Sequence, residues 1–218
     1  DKLVLKVHED DTVRYELLKK GDIDYFLFIQ AKMWANETEG PLFQNGYLKK
    51  YKVETHVPGS MSGIAWNLRK PLFRDVRVRK ALSHLLNREK MIPELFYNQY
   101  VPVVNIIATN SEYHSPSVKP VPYDDKKAQQ LLKEAGWNTL SDDGVLMKDG
   151  ARFEFDLILN QPAFQRILTG YVETLRKVGI KMNLRQMEWA TSIKVRDEHQ
   201  FDAFLVAYTR DVNPGSFR

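Results

Sequence analysis

Hydrophobic and polar positions change period several times along this chain, and each change marks an element. Leu3, Leu5 and Val7 alternate with Lys2, Lys6 and His8, the period-two pattern of a half-buried strand. The acidic cluster Glu9, Asp10 and Asp11 then precedes a helical run with Val13, Leu17 and Leu18, which Asp11 or Thr12 can cap and Gly21 ends. Those acids read as cap and helix-dipole charge rather than as a metal site. Gly40-Pro41 marks a turn, and Leu48, Tyr51, Val53 and Thr55 suggest a basic strand. Residues 58–63 are the strongest shift to small residues. A short strand is expected over 64–68, and Lys70-Pro71 ends it, because proline donates no ladder hydrogen bond.

The longest helical pattern follows. Asp75 is a good N-cap, and Val78, Ala81, Leu82, Leu85 and Leu86 recur at amphipathic spacing, with Arg74, Arg77 and Lys80 off the stripe. Asn87 can cap a second helix carrying Met91, Ile92, Leu95 and Phe96, which Pro93 shortens or kinks. Residues 101–122 are irregular and contain four prolines, Pro102, Pro116, Pro120 and Pro122. Asp124 or Asp125 then caps a helix with the stripe Ala128, Leu131, Leu132 and Ala135, closed by Gly136. Turn signals at Asp142-Asp143-Gly144 and Asp149-Gly150 flank residues 145–148, and 152–159 reads as the hairpin partner. The acids lack calcium-loop spacing, so a turn is expected there. A helix over 164–178 ends at Gly179. Strand 180–186, helix 191–198 and the apolar strand 201–208 complete the order. Strands alternating with helices predict an α/β chain whose mixed sheet is flanked by helices.

Composition narrows the function classes. The 218 residues are 43% hydrophobic and 28% charged, ordinary for a packed globular chain. The net charge of +4 comes from 32 basic and 28 acidic residues mixed along the sequence, which argues against nucleic acid as a partner. The chain contains no cysteine, which removes thiol catalysis, disulfides and thiolate metal sites. The five histidines are scattered without metal-ligand spacing. Gly59-Ser60-Met61-Ser62-Gly63 places methionine where a nucleophile elbow needs serine. His84, among apolar helix residues, reads as a structural histidine. No catalytic constellation and no cofactor are expected. No apolar run is long enough to span a bilayer, and no signal peptide is visible at Asp1.

The wording of three stretches adds a resemblance. The run P-L-F-R-D-V-R-V-R-K-A-L followed by N-R-E, the phrase A-Q-Q-L-L-K-E-A-G-W, and the run from Met187 to Pro214 resemble the family-5 extracellular solute-binding proteins of ABC importers. Within that family the oligopeptide and microcin C-type branch is the nearest in wording. The resemblance implies a periplasmic binding protein type II-like fold, here the second large lobe plus part of lobe I. The implied boundaries are a partial lobe I segment at 1–63, the second ligand-binding lobe at 64–213, and a return toward lobe I at 214–218. It also implies an excised portion of a longer periplasmic protein.

The function implied is capture of a peptide or peptide-like solute by hinge closure and delivery to the membrane permease of an ABC transporter. Asp211 matches the aspartate that pairs with a ligand's α-ammonium. The same residues also satisfy a turn-forming Asp-x-Asn-Pro, and both readings stand. Tyr208 occupies the aromatic position before it, with Arg210 between. Trp66 and Asn67 match positions where the family strand faces the cleft. Gln165 matches a position near ligand side chains. Arg196 matches a cleft arginine and reads equally as a solvated helix arginine. Leu205 stands where relatives carry a second arginine, and Trp189 is expected to support the site. Two other classes remain: a peptide hydrolase with an unrecognised active site, and a domain that binds a protein partner.

Overall fold

The computed structural model describes residues 2–8, 10–27, 29–53, 59–105, 107 and 111–209. The chain forms two compact units: Asp1–Thr55 with Ile92–Val101, and His56–Met91 with Pro102–Arg218. Gly63, where the sequence suggested a lobe boundary, lies inside the first strand of the second unit.

The first unit is built on short helices. Helix α1 (Asp11–Lys20) is capped by Asp10, whose carboxylate accepts from the amides of Thr12 and Val13 at 2.7 and 3.1 Å. The cap is therefore one residue before Asp11 and two before Thr12, the residues expected to supply it. Gly21 closes the helix at φ +77° as expected, since a left-handed end suits glycine. Helices α2 (Ala31–Asn36) and α3 (Pro41–Gln44) were not expected, each being too short to show a stripe. Tyr15 is fully buried and donates its hydroxyl to the Glu37 carbonyl, joining α1 to the end of α2.

Two strand expectations fail here. Residues 2–8 and 46–53 are not strands, and Leu3, Leu5 and Val7 are each at least 80% exposed. An extended run becomes a strand only with a neighbour to complete its ladder, and neither stretch has one among the described residues. Residues 54–57 of the expected basic strand lie outside those described.

The second unit holds the sheet. In chain order it comprises β1 (Ser60–Trp66), α4 (Pro71–Arg74), α5 (Val76–His84), the start of α6 (Arg88–Phe96), α7 (Asp125–Glu134), β2 (Thr139–Leu140), β3 (Leu146–Lys148), β4 (Ala151–Arg152), β5 (Glu154–Leu159), α8 (Ala163–Lys177), β6 (Lys181–Gln186), α9 (Trp189–Asp197) and β7 (Ala203–Thr209). The main sheet runs β1-β7-β5-β6, with β1 antiparallel to β7 and the other pairs parallel. It is the mixed sheet the alternation predicted. The caps are those expected: Asp75 accepts from the Arg77 amide, Asn87 from Lys90 and Asp124 from Lys127. Helix α6 ends at Phe96, three residues past Pro93.

The hairpin differs from expectation. Asp149 and Gly150, both at positive φ, turn β3 back only onto Ala151 and Arg152. Phe153 is fully buried, and beyond it the chain leaves that small sheet to lie parallel to β6 as β5. A continuous run of strand-like residues hid this change of partner.

The core collects one face of the main sheet and the stripes of α5, α7 and α8. Phe155, Leu157, Leu159 and Ala203 meet Val78, Ala81, Leu82, Leu131, Leu132, Leu168 and Leu175. Fully burying each large aliphatic or aromatic side chain contributes about 1.5–3 kcal/mol, so these stripes carry most of the unit's stability. Tyr171 is buried with them and donates its hydroxyl to the Leu82 carbonyl at 2.8 Å, fastening α8 to α5.

Candidate functional site

The opposite face of the sheet carries the site, and strand alternation decides who stands there. On β7, Ala203 and Leu205 point to the core, so Phe204, Val206 and Tyr208 stand on the other face. The register sets Ala65 of β1 beside Phe204 and Gly63 beside Val206. Over β5 and β6 the same face is polar. Asn183 donates to Glu154 and Asp156, Arg185 pairs with Asp156 at 2.9 Å, and Lys181 pairs with Glu154 at 2.8 Å. Lys181 and Asn183 hold the Glu154 carboxyl below its usual range.

A groove of about 360 Å³ runs along the apolar part of this face. Ala65, Phe204, Val206 and Tyr208 form its floor and one wall, and Phe201 packs edge-on against Phe204 at 5.8 Å. The end of α9 supplies the polar rim, Arg196, Asp197 and His199. Helix α9 is fixed at its other end by Glu188. The amides of Ala190 and Thr191 hold that carboxyl below its usual range. The Arg196 guanidinium is paired with the Asp197 carboxylate through two contacts at 3.1 and 3.2 Å. Both side chains are exposed, so the pair costs little to open for an incoming carboxylate.

The residues singled out from sequence separate into groups. Arg196 and Tyr208 line the groove together, with Tyr208 half exposed. Trp66 is on the core side, its ring 5.1 Å from Phe73 and 5.8 Å from Phe155. Asn67 is buried and saturated: its side-chain amide donates to the carbonyls of His199 and Phe201 at 3.0 and 2.7 Å, while its oxygen accepts from Arg69 at 3.0 Å. It thus holds the turn that presents His199 and Phe201 to the groove. Gln165 is exposed in the first turn of α8 and is not among the groove's lining residues. Leu205 packs against the core, and Trp189 is exposed at the start of α9. Arg210 and Asp211 lie outside the described residues.

Phe201, Phe204, Val206, Ala65 and His199 were not singled out from sequence. The alternation of β7 could have found Phe204 and Val206, because their parity matches Tyr208. The pairing of β1 with β7, which brings Ala65 beside Phe204, has no local signal.

Comparison with known proteins then bears on the whole chain. The family model "Bacterial extracellular solute-binding proteins, family 5 Middle" matches residues 1–217. The oligopeptide-binding protein AppA of Bacillus subtilis is 30% identical over the full chain, which covers 39% of that protein. A solved structure of AppA from the same organism, in complex with a nonapeptide, superposes with a TM-score of 0.75 at 29% identity, covering 95% of this chain and 41% of that one. NikA from Brucella suis, solved with Fe(III)-EDTA, gives a TM-score of 0.77 at 22% identity, covering 98% of this chain and 43% of its own, and shows the shared fold. The chain therefore spans about two fifths of the length of these relatives.

Proposed function

Because the chain belongs to the bacterial extracellular solute-binding proteins of family 5, we propose that the whole protein captures a peptide or peptide-like solute. It delivers that solute to the membrane permease of an ABC importer from a periplasmic location. In this reading residues 1–63 belong to lobe I, 64–213 form the second lobe, 214–218 begin the return, and closure of the lobes buries the solute.

The observation that carries the reading is the groove beside β7. An apolar floor with an arginine, a carboxylate and a histidine at one rim suits a ligand whose backbone is polar and whose side chains are not. An extended peptide supplies that chemistry, and it can bind through main-chain hydrogen bonds with side chains in separate pockets. Asp211 follows β7 by two residues and is the proposed partner of the solute's ammonium, with Arg210 beside it. Arg196 is the proposed partner of a carboxylate.

The test is thermal-shift screening of the full-length protein against peptides with free and acetylated amino termini, in the parent and in Asp211→Asn. A ligand that binds only the folded state raises the melting temperature with occupancy. Free-amine peptides should stabilise the parent and lose that effect in the variant, and should be recovered intact. Stabilisation that survives Asp211→Asn unchanged would remove the ammonium role. Cleaved peptide would favour a hydrolase.

A further inference from the structure

The two strands that make the groove are unequal in bulk. β7 contributes Phe204, Val206 and Tyr208, whereas the residues beside the first two are Ala65 and Gly63. Glycine weakens a strand interior, so its presence there calls for a local reason. Backbone geometry does not supply one, since Gly63 is not among the residues at positive φ. Packing does not supply one either, because a Cβ at Gly63 would meet no atom within 4 Å. What the missing side chain leaves is open space beside Val206, on the face where Ala65 already lines the groove.

We propose that Gly63 is a specificity-determining residue, keeping open a trough along β7 that receives one apolar side chain, aromatic or branched, of the bound solute. The proposal rests on the peptide-capture reading of the same groove and adds which part of the peptide goes there. The occupant follows from the walls. Val206 and the paired rings of Phe201 and Phe204 offer apolar surface. Arg196 and Asp197 sit together at the rim as an ion pair, where the first is kept for a carboxylate, so the trough itself does not demand a charged side chain. A volume of about 360 Å³ lies near the lower end of ligand pockets, which run roughly 300–1,000 Å³. That admits one large side chain with its flanking backbone and excludes a folded segment.

The experiment is calorimetric titration of the full-length protein with tetrapeptides of one common sequence, in which phenylalanine replaces glycine at each position in turn. In the parent, phenylalanine at one position should bind about tenfold or more tighter than glycine there, the scale at which apolar pockets discriminate. Gly63→Val should abolish that preference, weakening the phenylalanine peptide far more than the all-glycine peptide, and Gly63→Ala should fall between. Melting curves establish that both variants are folded, and Gly63→Ala carries the test if valine is not tolerated. A preference that survives at full strength in the folded variants overturns the proposal and leaves peptide capture standing. So does an equal loss for every peptide. If the parent binds none of the peptides, the capture reading itself falls.

Discussion

Replacing Asn67 with alanine removes three hydrogen bonds, two of which join elements far apart in sequence. The side chain is buried, and its amide reaches the carbonyls of residues 132 and 134 positions away. A neutral hydrogen bond contributes about 0.5–1.5 kcal/mol net, and a buried group left without a partner costs about 1–3 kcal/mol. His199 is exposed, so its carbonyl regains water and counts at the low end. Arg69 is exposed as well, so the half-buried Phe201 carbonyl is the costlier loss. The sum expected is about 2–3 kcal/mol. With a urea dependence of roughly 1–3 kcal/mol per molar, the midpoint should fall by about 1 M. The assay is urea unfolding followed by circular dichroism at pH 7. Asn67→Asp sharpens it. Aspartate keeps the acceptor for Arg69 but turns an anion toward two carbonyls, so it should be at least as destabilising as alanine. A loss below about 0.5 kcal/mol for alanine, or parental stability for aspartate, would refute the hydrogen-bond account.

Three further outcomes are expected. The carboxyls of Asp75, Asp143, Glu154 and Glu188 are all depressed when folded, so their contribution is complete above the unfolded values of 3.8 for Asp and 4.5 for Glu. It is lost as pH falls through the lower folded values. Thermal midpoints should therefore drop in that acid window, less steeply in Arg152→Gln, because Arg152 grips both Asp143 and Glu154; identical slopes would argue otherwise. Tyr171→Phe should lose about 1–2 kcal/mol in urea unfolding, because the Leu82 carbonyl is left without its hydroxyl. The glycine pair Gly179→Ala and Gly170→Ala should move in opposite directions. At Gly179, φ is +82° and a Cβ would sit 3.1 Å from the Gly144 carbonyl oxygen, whereas Gly170 lies in α8 with open space around it. The first should lose about 1–3 kcal/mol and the second gain up to about 1 kcal/mol in melting experiments.

Elements with their own stripe and cap could be read from the sequence. The stripes of α5, α7 and α8 name their own buried faces, and Asp75, Asp124 and Gly179 punctuate them. Single-turn helices such as α3 and α4 have no room for a stripe, and each opens on a proline that signals a turn as readily as a helix. Residues 2–8 and 46–53 have strand alternation without strand structure, since a ladder partner is not a local property. The site divides in the same way. Tyr208 and Arg196 were accessible through resemblance, but the place of Asn67 was not. Its partners are fixed by where the turn at 199–201 comes to rest, which no local pattern encodes. Trp66 shows the parity problem: a shift of one residue along β1 exchanges core for groove.

The order of the main sheet bears on how the chain can be made. Among the described strands of this sheet, β7, the last in sequence, sits between β1, the first, and β5. Until Ala203 and the residues after it are available, β1 has no neighbour to pair with, while β5 and β6 can already join. The described sheet is therefore joined by insertion of β7 between β1 and β5 rather than by growth from one edge. A chain stopped short of β7 keeps its core helices and the parallel pair of β5 and β6, but it lacks the strand that forms the groove. Formation of the groove therefore waits on β7, which carries Phe204, Val206 and Tyr208.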